Sequence, residues 1–169
     1  TNALLERKGA PTVLVTTTGF GDALRIGYQN RPRIFDRKID LPELLHTDVI
    51  EVDERVRADG NVIRPLDEQQ VAEALRQRFA DGYKSVAIVL VHGDRYPAHE
   101  RAIGDIARGI GFEQVSLSSE CSPLIKLVSR GDTTVVDAYL SPVLRTYVSA
   151  VASATRDVEL YFMQSNGGL

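Results

Sequence analysis

The sequence is short of cysteine, of long apolar runs and of excess charge, and each shortage excludes a class of protein. Cys121 is the only cysteine, so an intrachain disulfide is impossible and we expect a reducing, cytoplasmic setting. The longest apolar run, SVAIVLV, is far shorter than the ~20 residues of a membrane-spanning helix. Lys and Arg number 20 against 23 Asp and Glu, which offers no basic surface for nucleic acid or an anionic membrane.

What is present is the mixture of an ordinary globular protein. Hydrophobic residues make up 43% and charged residues 25% of the chain. At 169 residues the chain is long enough for one domain with a sizeable core. It contains no internal repeat and no low-complexity segment, so we treat residues 1–169 as a single unit.

Strand-like and helix-like patterns alternate along this unit. Strands are predicted at residues 11–17, 49–56, 85–91, 114–117 and 159–163, and helices at residues 22–29, 67–82, 97–112 and 133–155, with a loop at residues 30–45. The alternation predicts an α/β domain with a mixed sheet and flanking helices. Its antiparallel part is expected to be a hairpin over residues 49–66.

Local signals define several helix ends. Asp67 and Gln70 form a capping box, and Gly82 ends the helix that they begin. Asp132 or Thr133 is expected to cap the longest helix. Pro142 lies inside that helix and is expected to bend it or to mark a restart.

The two ends of the chain carry signals of their own. Residues 1–9 read as a helix already under way that stops at Gly9. At the other end an apolar run leads into Ser165-Asn166-Gly167-Gly168, whose backbone amides suit an anion but equally fit a tight turn. We therefore expect the chain to be a piece of a larger enzyme that ends on a site-like turn.

Three internal stretches also carry side chains suited to chemistry. His92-Gly93-Asp94 follows a predicted buried strand, where open α/β sheets place ligands, but a polar turn explains it as well. His99-Glu100 follows closely, yet the spacing matches no metal motif and an exposed helix start is the simpler interpretation.

The other two stretches are phosphate-like in composition only. Residues 16–22 (TTTGFGD) lack the lysine and the glycine spacing of known phosphate loops, so a flexible turn is favoured. Thr133 and Thr134 follow an RGD string at an expected helix start, where capping is favoured over anion binding. No Ser-His-Asp or Cys-His set is present, and Cys121 is interpreted as a small core residue.

Six stretches taken together are more specific than any of these motifs. They read TNALLERKGA, TTTGFGDALRIGYQNRP, VIEVDERV, VAIVLVHGDRYPAHERA, VSLSSECSPLIKLVSRGDTTVVDAYLSPVLRTYV and FMQSNGGL. In this order, over residues 1–169, they resemble the hydantoinase A/5-oxoprolinase family, including its ATP-dependent N-methylhydantoinase A subunits.

The resemblance implies a much longer protein with an actin-like, sugar-kinase-like (ribonuclease H-like) ATPase fold, of which this chain is an N-terminal part. It implies an enzyme that uses ATP and a divalent cation, Mg²⁺ or Mn²⁺, to open 5-oxoproline or a hydantoin ring. Such catalysis consists of positioning and charge neutralisation around the transferred phosphoryl group. A hydantoinase B-type subunit or domain is the implied partner.

The resemblance also implies where the site lies. The family's two Asp-x-Gly-Gly-Thr phosphate loops have no counterpart in residues 1–169, so this piece alone is expected to be inactive and to bind no cofactor tightly. No metal ligand and no catalytic residue is nominated. The residues expected to bind the nucleotide are Ser165, Asn166, Gly167 and Gly168, and those expected near the substrate are Thr1, Asn2, His92, Thr133 and Thr134.

Two other functions stay open at this point. A subunit of an ATP-dependent ketone carboxylase would belong to the same superfamily and would require bicarbonate. A non-catalytic binding or assembly module would show neither activity.

Overall fold

The fold was analysed in a computed structural model that describes residues 2–28, 43–155 and 161. The predicted loop at residues 30–45 therefore lies mostly outside the described residues. Thr1, the Ser165–Gly168 turn and all of the strand predicted before it except Tyr161 also lie outside them.

Among the described residues, four parallel strands form the central sheet. They are β1 (Thr12–Thr17), β2 (Asp48–Val52), β5 (Ser85–Val89) and β6 (Gln114–Leu117), in the order β2-β1-β5-β6. β1 and β5 are the central strands and every residue in them is buried. This agrees with their continuous apolar character, which is typical of a strand covered on both faces.

Helices cover both faces of this sheet. They are α1 (Asn2–Leu5), α2 (Ala23–Ile26), α3 (Glu68–Ala80), α4 (Ala98–Ile110), α5 (Ser118–Cys121) and α6 (Leu127–Ala154). On one face Val13 and Val86 pack with α3 and α4, and on the other Leu14 and Ala87 pack with α6. Alternate strand residues thus supply two cores, and the α/β fold class is confirmed.

The predicted strand at residues 49–56 is divided in the structure. β2 ends at Val52, and after Asp53 and Glu54 the chain forms β3 (Arg55–Val56), which pairs antiparallel with β4 (Val62–Arg64) as a separate two-stranded sheet. The hairpin is confirmed, but the mixed sheet is wrong, because the antiparallel pair does not join the four parallel strands. The break occurs where the Glu54 side chain turns inward to a polar partner instead of continuing the apolar pattern.

The longest helix begins earlier than predicted. α6 starts at Leu127 after Lys126, so neither Asp132 nor Thr133 caps it. The Thr133 and Thr134 hydroxyls instead donate to the carbonyls of Ser129 and Arg130, one turn back. Tertiary contacts explain the earlier start, since Arg130 is completely buried and a Cβ on Gly131 would lie 2.6 Å from Leu24.

Pro142 lies inside α6 without ending it, and a residue of β5 compensates for it. A proline has no N–H, so the carbonyl four residues earlier, at Ala138, loses its helical donor. The Ser85 hydroxyl donates to that carbonyl at 2.5 Å. Beyond Pro142 two large apolar side chains of α6 are exposed, Leu144 by 57% and Tyr147 by 63%.

The helix ends at Asp67 and Gly82 agree with the sequence. The Asp67 carboxylate accepts hydrogen bonds from the backbone N–H groups of Gln69 and Gln70, and α3 ends just before Gly82 at φ +100°. Among the described residues, no helix is both long enough and apolar enough to cross a membrane.

Candidate functional site at the carboxyl edge of the sheet

The sheet changes winding direction between its two central strands. The chain leaves β1 through α2, on the α6 face, and leaves β5 towards α4, on the opposite face. In open α/β sheets the carboxyl ends of two such strands form a crevice, and ligands bind there. This geometry places the candidate site beside Thr17 at the end of β1 and Val91 after β5.

A buried polar cluster lies at this crevice and consists of Thr17, Glu54 and His99. The Thr17 hydroxyl accepts from the Val91 N–H at 3.0 Å and donates to Glu54 Oε1 at 2.5 Å. The other Glu54 oxygen lies 2.7 Å from His99 Nδ1. The Glu54 side chain is 1% exposed and that of His99 is 16% exposed, so the carboxylate is covered while the imidazole reaches the surface.

This pairing defines what the imidazole can do. A carboxylate that accepts the Nδ1–H of a histidine fixes the ring and leaves Nε2 for proton transfer or for a ligand. The Thr17–Glu54–His99 cluster therefore has the form of a positioned imidazole.

Arg55 lies next to this cluster and lines a cleft. The cleft has a volume of about 240 Å³ and is bordered by Thr17, Thr18, Asp53, Glu54, Arg55, Ile63 and Arg64. The Arg55 guanidinium lies 5.2 Å from the centre of the Phe20 ring. Its Nη1 is buried and has no hydrogen-bond partner in the part of the chain that the structure describes.

A second buried acid, Glu100, lies at the same edge but is fully enclosed. It is 0% exposed and accepts from the Leu90 N–H, the Ser118 hydroxyl and the Ser119 N–H at 2.9, 2.5 and 2.9 Å. These bonds join β5, α4 and α5. The predicted exposed helix start at His99-Glu100 is therefore wrong, since both side chains point to buried partners.

Arg130, the arginine of the RGD string, is buried against the same edge. It donates to Asp94 Oδ1 at 2.6 Å and to the carbonyls of Leu90 and Leu124 at 2.5 and 2.9 Å. The Arg130–Asp94 ion pair explains the polar turn after β5 as a structural contact. The RGD string lies within α6, with Arg130 and Gly131 buried and Asp132 exposed, and does not form an adhesion loop.

The glycine-rich stretch after β1 binds a carboxylate of the same chain. The N–H groups of Gly19 and Gly21 both donate to Glu51 Oε1 at 2.9 Å. Two amides that converge on one oxygen form an anion nest. The phosphate-like composition of residues 16–22 is therefore used within the chain, by the end of β2.

The predicted site residues lie in different places. His92 follows β5 at the carboxyl edge and has a left-handed backbone, φ +60°, which is uncommon for a non-glycine residue. Asn2 begins α1, and the chain after it is tied to α6 through the Ala10 N–H and the Tyr139 carbonyl. Thr133 and Thr134 lie within α6, and the substrate-proximal roles of these residues stay predictions.

Sequence reasoning missed the Glu54 and Glu100 clusters, although a signal for each was present. Glu54 shares the period-two register of Ile50, Val52 and Val56, which are all buried. Glu100 shares the helical stripe of buried residues in α4. An acid in register with a core stripe indicates a buried, partnered carboxylate.

Burial also shifts the pKa values of titratable groups away from this cluster. Cys121, predicted to be a small core residue, is half-buried and lies outside the core. Burial, with Asp137 nearby, raises the pKa of its thiol to about 12, which makes the thiol unreactive. Burial lowers the pKa of His46 below its ordinary value.

Within residues 2–28, 43–155 and 161, no three His, Cys, Asp or Glu side chains are grouped so that they could hold a metal ion.

Comparison with known proteins identifies the family to which the chain belongs. Residues 1–111 match the model of the hydantoinase/oxoprolinase N-terminal region, and residues 130–169 match that of hydantoinase/oxoprolinase. The chain belongs to the hydantoinase/oxoprolinase family, which confirms the resemblance seen in the sequence.

The relatives that the chain resembles include 5-oxoprolinases and a caprolactamase of solved structure. The chain is 40% identical to 5-oxoprolinase of Dictyostelium discoideum and 41% identical to 5-oxoprolinase of Saccharomyces cerevisiae. Each match covers the whole chain but only 16% of the relative. The solved structure of the ATP-dependent caprolactamase from Pseudomonas jessenii superposes on the chain with a TM-score of 0.80 and 30% sequence identity. The match covers 90% of this chain and 23% of the caprolactamase chain.

Proposed function

We propose that this chain is the N-terminal part of an ATP-dependent hydrolase that opens a cyclic amide, 5-oxoproline or a hydantoin. The observation that carries the proposal is the match of the whole chain, at 40% identity, to a 5-oxoprolinase. The structural neighbour named as an ATP-dependent caprolactamase supports it, because caprolactam is also a cyclic amide. The chain spans 16% of the length of these oxoprolinases, so the activity is proposed for the longer protein.

In this proposal the described residues supply one wall of the substrate site. The parallel sheet brings Thr17, Glu54, Arg55 and His99 to its carboxyl edge, where a small molecule can approach them. Glu54 holds the His99 imidazole, and Thr17 ties Glu54 to the end of β5 through Val91. These contacts hold polar side chains in place at the carboxyl edge of the sheet.

ATP would supply the phosphoryl group that makes a ring amide susceptible to water, and a divalent cation would accompany it. We propose that Ser165, Asn166, Gly167 and Gly168 lie near the nucleotide, and that Thr1, Asn2, His92, Thr133 and Thr134 lie near the substrate. The described residues hold no cluster suited to the cation, so its ligands are expected elsewhere in the longer protein.

Substrate-dependent ATP hydrolysis by the full-length protein tests this function. Phosphate release and ring opening should occur together when 5-oxoproline or hydantoin is added, and should both be near background when it is omitted. ATP hydrolysis that is indifferent to cyclic amides, or its absence with every ring tested, would contradict the proposal.

One observation favours a second candidate, a subunit of an ATP-dependent ketone carboxylase. The chain is 32% identical to the acetophenone carboxylase gamma subunit of Aromatoleum aromaticum, over 88% of its length and 22% of that subunit. ATP turnover that requires both bicarbonate and a ketone would favour this candidate. In either case we propose a cytoplasmic protein that works with a hydantoinase B-type subunit or domain.

A further inference from the structure

We infer that Arg55 binds a carboxylate, and that the cleft at the end of β1 and β2 is the subsite for the acid group of a ring substrate. The inference rests on the proposed function for the identity of the ring. It goes beyond that function in assigning a specificity-determining residue, since a lactam without a carboxylate would have no use for this cation.

Arg55 carries a charge that no described acid neutralises. Its Nη1 is buried without a partner, and its guanidinium makes no ion pair with another described residue. A buried charged donor without an acceptor is costly. The neighbouring acids do not satisfy it, because Glu54 is bonded to Thr17 and His99, and Asp53 is paired with Arg64.

A comparison with Arg130 shows that an unpartnered nitrogen does not by itself leave an arginine without an ion pair. Arg130 also has a buried nitrogen without a partner, its Nε. Its other nitrogens, however, bond Asp94 and two backbone carbonyls. The charge of Arg130 is therefore neutralised within the chain, whereas no described residue neutralises that of Arg55.

Arg55 lines a cleft whose size suits a small ring, and its guanidinium is held in place there. The cleft measures about 240 Å³, below the roughly 300–1,000 Å³ of pockets for drug-sized ligands. It therefore fits a small ring acid better than a whole nucleotide. The Phe20 ring, 5.2 Å from the guanidinium carbon, positions the cation by a cation–π contact.

The chemistry of a guanidinium group favours a carboxylate as its ligand. A guanidinium presents a planar fork of N–H groups that matches the two oxygens of a carboxylate. The exposed Thr18 hydroxyl borders the same cleft and can add a donor. 5-Oxoproline carries a carboxylate on its ring and 2-pyrrolidinone is the same ring without it, so the two compounds separate this contact from recognition of the amide.

Equilibrium binding of 5-oxoproline to the full-length protein tests the inference without requiring turnover. Arg55→Gln should weaken binding roughly ten- to a hundredfold, the loss expected when a charged hydrogen-bonding partner is removed. Arg55→Lys should recover part of the loss, because it keeps the charge but not the fork. Binding of 2-pyrrolidinone and of ATP should change less than about twofold in both variants.

The exposed Arg57, two residues on, provides the matched control. Arg57→Gln changes the net charge by the same amount and should leave binding of 5-oxoproline unchanged. Melting temperatures of all variants show whether each is folded, and Arg55→Lys serves as the test if Arg55→Gln is not.

Three results would overturn the inference. They are unchanged 5-oxoproline affinity in Arg55→Gln, an equal loss for 2-pyrrolidinone, and a loss confined to ATP, which would assign Arg55 to a phosphate. Failure of the proposed function is a separate result, because binding of 5-oxoproline without ATP-dependent ring opening would leave the Arg55 contact in place.

Discussion

Two buried glutamates at the same edge of the sheet are used in different ways. Glu100 is enclosed by three donors, one from Leu90 just after β5 and two from α5, and no solvent reaches it. Glu54 is equally buried, but its partner His99 is partly exposed and its neighbour Arg55 lines a cleft. The difference teaches that burial of an acid is not enough to indicate a site, whereas an adjacent cleft lined by a cation that pairs with no described residue favours one.

Removal of Glu100 should have the largest effect on stability. Glu100→Ala leaves two backbone N–H groups and one hydroxyl buried without acceptors, which we expect to cost about 3 kcal/mol or more. Hydrogen exchange of peptides from β5 and α4 at increasing urea concentration measures this loss. Glu73, exposed on α3, is the control, and Glu73→Ala should change stability by less than about 0.5 kcal/mol.

Filling the space beside Glu100 should have the next largest effect. A Cβ at Gly93 would overlap the Glu100 carboxylate, with its Cδ at 2.7 Å, so Gly93→Ala is expected to cost about 1–3 kcal/mol. Gly109→Ala is the opposite case, because nothing lies within 4 Å of its Cβ in α4. It should stabilise by about 0.5–1 kcal/mol, and equal melting temperatures for the two variants would show that the Glu100 enclosure is looser than described.

Loss of the His99 imidazole should cost less, since the ring lies at the rim of its cluster. His99→Leu removes one hydrogen bond to Glu54 and is expected to cost about 1–2 kcal/mol. His92→Asn is the control, because asparagine tolerates the left-handed backbone of that position, and it should be near neutral. If His99→Leu were as damaging as Glu100→Ala, the open and enclosed clusters would not differ as proposed.

The smallest effect should be a pH dependence at the amino end of the sheet. His46 lies beside Thr47, whose N–H donates to the carbonyl of the first β1 residue, and burial lowers the pKa of His46 below 6.5. The unfolded chain therefore takes up a proton at a higher pH than the folded chain. Stability present above pH 6.5 should fall as the pH drops below it, and in His46→Gln this part of the decrease, followed by thermal melting, should disappear.

The sequence predicted the parts of the fold that depend on local pattern. The buried strands β1 and β5 and the Asp67 cap follow from apolar runs and capping chemistry, and all are confirmed. The predicted start of α6 was wrong because Arg130 and Gly131 pack against residues that are distant in the sequence. No local signal contains that information.

The candidate site was less predictable because it is made of long-range pairs. Glu54 meets Thr17 and His99 across 37 and 45 residues. The alternation of residues 49–56 puts Glu54 in register with the buried Ile50, Val52 and Val56, but it does not indicate which partner the side chain meets. Only the order of the parallel strands brings the three side chains to one edge.

The structure of the full-length protein with 5-oxoproline bound tests the central claim most directly. The account predicts the ligand carboxylate within hydrogen-bonding distance of the Arg55 guanidinium, at the edge that carries Glu54 and His99. A ligand whose carboxylate is held by other residues, with Arg55 still unpaired, would contradict it.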